Sequence, residues 1–61
     1  MFIGKRGIEN TLYFVEEDVD KSTKYLWTKD VNKATQFTRR EDLRSSLKRS
    51  GLDVLTKIEE V

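Results

Sequence analysis

The stretch TRREDLRSSLKRSG, Thr38 to Gly51, decides how the rest of this chain is read. Thr38 and Glu41 stand in T-x-x-E spacing, in which each side chain satisfies a free backbone N–H at a helix start. Phe37 sits just before them, placed to pack on the first turn. Gly51 supplies a left-handed stop, and Lys48 and Arg49 fall in the last turn, where the helix dipole favours cations. The spacing predicts a helix over 39–50. At about 100° per residue, Leu43 and Leu47 mark a narrow apolar stripe along it. A stripe that narrow needs a sheet to lie on, and the flanking segments are read with that in mind.

Upstream, MFIGKR has a short apolar start, and Gly7-Ile8-Glu9-Asn10 has the chemistry of a turn. TLYFV (11–15) and KYLWT (24–28) read as strands, rich in β-branched and aromatic residues. The polar, acidic EEDVDKST between them (16–23) reads as a loop. Asp30 is placed to cap a single helical turn with Val31 and Ala34 facing inward, and Thr35 to Phe37 reads as a brief extended piece. The tail LDVLTKIEEV has two readings. As a strand it puts Leu52, Val54 and Ile58 on one face; as a helix it groups Val54, Leu55, Ile58 and Val61. Its β-branched residues favour the strand. The expected fold is α+β: a three-stranded antiparallel meander plus a C-terminal strand, packed against one helix in the order ββ(β)αβ.

Composition narrows the chemistry. The chain has 61 residues, with neither cysteine nor histidine, so a single small domain over 1–61 is expected. No disulfide, thiolate metal ligand or imidazole base is available to it. Carboxylates alone would have to do any acid–base work, with Glu16, Glu17 and Asp18 as candidates. A loop holding them could not form a dry, preorganised pocket. No enzymatic activity, metal or cofactor is therefore expected. There is no apolar run of membrane-spanning length and no signal-peptide core, so no membrane partner is expected and the simplest location is cytoplasmic.

Charged residues make up 38% of the chain, yet the net charge is only +1. The segregation of charge says more than its sum. The predicted helix carries five basic residues, Arg39, Arg40, Arg44, Lys48 and Arg49, against Glu41 and Asp42. Arg40, Arg44 and Lys48 recur at i, i+4 and i+8 along one flank of the leucine stripe, and Arg39 joins them as a candidate contact. Two readings of this ridge stand side by side. It is a binding face for phosphates or for an acidic protein surface, or it is a solvated helix back whose long stems cover the edges of a thin core.

The aromatics have two readings as well. Tyr25 and Trp27 share one strand face and Leu26 takes the other, while Tyr13 and Phe14 point oppositely. A small domain needs its large apolar groups for the core. If Tyr25 or Trp27 is left partly exposed instead, it is a candidate to stack a base or to anchor an interface. At least one aromatic from each strand is expected to face away from the helix.

From Tyr25 to Gly51 the chain resembles a pattern common in small accessory proteins of phages and prophages. In these a strand with a Tyr-Leu core leads to a D-x-x-K-A-T-x-F segment, a T/S-x-x-E helix and a closing strand. The matching residues are Tyr25, Leu26, Asp30, Lys33, Ala34, Thr35, Phe37, Thr38 and Glu41. The resemblance implies an origin class, and with it a host cytoplasm and a host macromolecule, foremost a protein, that is bound and inhibited or redirected. Nucleic acid bound by the basic helix 39–50 is the alternative.

Overall fold

The computed structural model describes every residue except Asp53 and Val54; the placement expected for Val54 lies outside the described residues. The strands are β1 (Phe2–Arg6), β2 (Leu12–Val19), β3 (Ser22–Thr28) and β4 (Lys57–Glu60), with a 3-10 turn at Val31–Lys33 and one helix, α1 (Arg40–Ser50). The strands form one sheet in the order β3-β2-β1-β4, antiparallel throughout. This is the expected α+β arrangement; of the tail, Lys57–Glu60 forms the closing strand, whereas Leu52, Leu55 and Thr56 lie outside it.

Helix and sheet meet on Phe14. Its side chain is fully buried, in one cluster with Leu43 and Leu47 of α1. Phe2, Tyr25, Trp27, Phe37, Leu52 and Ile58 pack around that cluster. Next to Phe14 the close approach requires Gly4: a Cβ there would lie 3.1 Å from both Phe14 Cβ and Thr56 Cγ2, and 3.6 Å from Leu43 Cδ1. The opposite face of the sheet carries a smaller apolar set. Ile3, one residue from Gly4 and so pointing the other way, is buried there.

The helix ends as its sequence predicts. Gly51 has φ 77° and donates to the Lys48 carbonyl, while the Leu52 N–H reaches the Leu47 carbonyl at 3.0 Å. That is the paired hydrogen-bond pattern of a Schellman stop, with Leu52 folding back onto the core. The helix does not begin as predicted. The cap residue is Arg39, with no side-chain hydrogen bond, and Thr38 lies one position too early to serve. Glu41 turns instead to Arg39, 2.9 Å away. The cause lies just upstream. Phe37 exchanges two backbone hydrogen bonds with Phe2, at 2.7 and 2.8 Å. This holds the chain extended, and both Thr38 and Arg39 are used in leaving that pairing for the helix.

The Phe2–Phe37 pairing also explains a gap in the sheet. β1 and β2 pair only at Lys5–Tyr13 and Arg6–Leu12. Beyond that point Thr35 to Phe37 enters between them: the Thr35 N–H donates to the Phe14 carbonyl at 3.1 Å, and the Glu16 N–H donates to Thr35 Oγ1 at 2.8 Å. The brief extended piece expected there exists, and it closes the wedge.

The acidic stretch is not a loop. β2 runs on to Val19 and β3 starts at Ser22, joined by Asp20-Lys21 with φ values of 48° and 66°. Positive φ at both central residues marks the type I′ turn, whose twist suits a two-residue hairpin. Glu17 stands opposite Lys24, and Thr23 donates to Asp18 across the strands at 3.2 Å. Such cross-strand pairs offset the poor strand propensity of carboxylate residues, which is what the reading of a loop relied on. Asp30 does cap the 3-10 turn, accepting from the Asn32 N–H at 2.9 Å, and Ala34 is buried. Val31 is largely exposed, contrary to expectation, because a single turn offers only one side to the sheet.

Leu43→Ala should cost about 2–5 kcal/mol, as buried leucine truncations do. Thr38→Ala should stay within about 0.5 kcal/mol, since it removes no cap. Thermal or denaturant unfolding of the two variants checks both values.

Candidate basic binding groove

The structure sorts the helix cations into two sets. Arg39 is held by Glu41, and Arg49 lies 3.5 Å from Glu16. Arg40, Arg44 and Lys48 have no carboxylate within ion-pair distance among the described residues. These three line one groove of about 610 Å³ between α1 and β4. Leu47, Thr56 and Ile58 complete the lining, and Lys57 borders it from β4 with its side chain on the face away from the helix, opposite Lys5. The floor is thus partly apolar and the helix wall is cationic. Arg40 also places its guanidinium over the Phe2 ring, 5.5 Å from the centroid, a cation–π contact at the edge of the core.

Arg49 is drawn away from the ridge by a specific polar link. Ser46 is fully buried at the helix–sheet interface and donates to Glu16 Oε1 at 2.8 Å. Glu16 reaches this place because it stands opposite Tyr25 on the helix-facing side of the sheet. Glu17 alternates to the other face, and Asp18 accepts from Thr23. The three carboxylates that were candidates for acid–base work therefore do not converge. Among the described residues no group of three or more carboxylates is arranged to hold a metal ion. The Lys5 ammonium is held above its ordinary range by its hydrogen bond and charge contact with Glu59, 2.8 Å away on the neighbouring strand.

Tyr25 and Trp27 both face the helix side, contrary to the expectation that one aromatic of their strand would turn away. Phe14 stacks on Tyr25 and meets Trp27 edge-on, each at 5.8 Å between centroids. The outer side of Trp27 is occupied by Arg6, whose guanidinium lies 4.1 Å from the ring centroid. The residue that turns away on β3 is Leu26, which is 44% exposed. On β2 the expectation holds: Phe14 turns inward, and Tyr13, its neighbour, faces the other side.

Of the six candidate contacts, the structure brings together Arg40, Arg44 and Lys48. It leaves Arg39 beside Glu41 and puts Tyr25 and Trp27 elsewhere. β3 and β4 are the two edges of the sheet, about 14 Å apart at ordinary strand spacing. An aromatic stacking surface and the basic groove are therefore not one site. Lys57 and Thr56 are groove residues that the sequence reading missed. The only signal for them was the β-branched tail, and that tail does not say beside which element its strand will lie.

Compared with known protein families, curated proteins and solved structures, the chain matches none. Among the described residues no helix is long and apolar enough to cross a membrane.

Ser46→Ala should destabilise the fold by about 1–2 kcal/mol, because a hydrogen bond to a charged group is lost in a half-buried setting. It should also free Arg49. A melting curve together with loss of the Arg49 side-chain contact in NMR checks this.

Proposed function

We propose that this protein is a non-enzymatic binding domain that takes an acidic segment of a partner protein into the groove between α1 and β4. The observation that carries the reading is the convergence of Arg40, Arg44 and Lys48 on one groove, with no carboxylate within ion-pair distance of any of the three among the described residues. A solvated helix back would leave its cations scattered or paired; Arg39 and Arg49 behave that way and these do not. The floor of Leu47 and Ile58 favours a polypeptide, which brings apolar side chains along with its carboxylates. A phosphodiester strand would gain from the helix wall alone, and the aromatics that could stack its bases are at the far edge of the sheet, packed on Phe14 and Arg6. Seen through the resemblance to phage accessory proteins, the partner is a host protein whose activity the binding blocks or redirects.

Selection from a displayed library of random short peptides tests this. The native protein should enrich sequences rich in Asp and Glu, bound with an affinity that falls as salt rises. Arg44→Glu should weaken those peptides about tenfold or more, while shifting stability by no more than about 0.5 kcal/mol. Enrichment of peptides without acidic residues, or tighter binding to single-stranded DNA than to any selected peptide, would overturn the reading.

A further inference from the structure

The backbone of β4 says how such a segment would be held. Phe2 spends both its N–H and its carbonyl on Phe37, at 2.7 and 2.8 Å. Those groups therefore point away from β4, although Phe2 stands directly opposite Glu60. In an antiparallel ladder this makes Phe2–Glu60 a pair without mutual hydrogen bonds, and the N–H and carbonyl of Glu60 point outward from the sheet. The same phase recurs two residues on, at Ile58 opposite Gly4. The Val61 N–H, donating to the Met1 carbonyl at 2.8 Å, fits that phase. β4 is an edge strand, and no hydrogen bond among the described residues takes up the backbone groups of Ile58 or Glu60. Two residues thus offer an N–H and a carbonyl each along the rim of the basic groove.

The spacing of the ridge matches what would sit there. Residues at i, i+4 and i+8 on a helix are about 6 Å apart along its axis. Side chains on one face of a strand are about 6.8 Å apart. A strand added beyond β4 would lie about 4.8 Å further out, with every second side chain turned to the helix face, beside Ile58. Acidic groups at those alternate positions would face the flank that carries Arg40, Arg44 and Lys48, save the one directly across from Glu60, whose own carboxylate lies on that face. The other free edge, β3, offers no such match, since Arg49, the helix cation that reaches the β2 side, is already paired with Glu16.

Resting on the reading of the groove as a docking site for an acidic protein segment, we infer that the segment binds as an added antiparallel fifth strand on β4, its alternate carboxylates facing the ridge. Main-chain hydrogen bonds to Ile58 and Glu60 supply affinity, and the cations select the sequence, as in other cases of strand addition to an open edge. Short edge strands bearing lysine are a common device against indiscriminate pairing. Here the ridge makes that device selective, favouring an acidic strand over neutral or basic ones.

The test uses a fluorescent peptide of alternating glutamate and valine, and two versions of it N-methylated either at every glutamate or at every valine. In the antiparallel register the residues facing the ridge are also those whose N–H points at β4. Methylation at glutamate should therefore weaken binding about tenfold or more, while methylation at valine should leave it within about threefold. Binding of the parent peptide should also slow hydrogen exchange at the Ile58 and Glu60 amides. Equal affinity of the two methylated peptides would overturn strand addition and leave the charged groove standing. Failure of the parent peptide to bind, when library selection has returned acidic peptides, would do the same. Failure of both experiments would remove the docking site itself.

Discussion

The contact of Phe14 with Leu43 and Leu47 holds this fold together. A chain of 61 residues buries little, and this one has few large side chains to bury. One phenylalanine near the start of β2 receives the apolar stripe of the helix, Leu43 and Leu47. Tyr25 and Trp27 brace it from the neighbouring strand, and stacked or edge-on rings add about 0.5–1.5 kcal/mol each beyond the area they bury. Gly4 is the counterpart of Phe14: a Cβ there would crowd Phe14 and Thr56, each at 3.1 Å, and one of them would have to give. Because the helix is seated on β1 and β2, one flank faces β4, and the groove is the space that remains between them.

Seating the helix also divides its charges. The link from Ser46 to Glu16 fixes the rotation of α1 about its own axis. With Ser46 turned to the sheet, Arg49 meets Glu16, and the opposite flank presents Arg40, Arg44 and Lys48 to the groove. Glu16 lies in a stretch whose composition suggests solvent, yet one strand alternation carries it inward to set this orientation. Its neighbours Glu17 and Asp18 stay outside and hold the β2–β3 hairpin instead. The segregation of basic from acidic residues along the chain thus becomes, in three dimensions, a pairing of some and an isolation of others.

The insertion of Thr35 to Phe37 has consequences at both ends. It satisfies Phe14 and Glu16 backbone groups that the diverging β1 would leave open, so the sheet can split without exposing a buried amide. It also ties up the inner edge of Phe2, and thereby sets the hydrogen-bond phase of β1 and, through it, of β4. The outward aim of the Ile58 and Glu60 backbone follows from a contact made on the other side of β1.

Much of this was legible in the sequence wherever the signal is local. The Gly51 stop, the Leu43–Leu47 stripe, the strands around Phe14 and Trp27 and the cap at Asp30 all rest on side chains acting within a few residues of themselves. The i, i+4, i+8 ridge was legible for the same reason. Local signals failed where a distant partner outbid them. Thr38 lost its capping role to the Phe2–Phe37 pairing, and the acidic stretch became a strand through partners on β3. Tyr25 and Trp27 took the helix side because Phe14 is there. Nor could sequence say that Lys57 and Ile58 would lie along the helix, or that Arg39 and Arg49 would leave the ridge. The period of a helix or strand is written into its own residues, but which face meets which, and which backbone groups are left over, depends on pairings between segments far apart in the chain, and only the tertiary structure decides those.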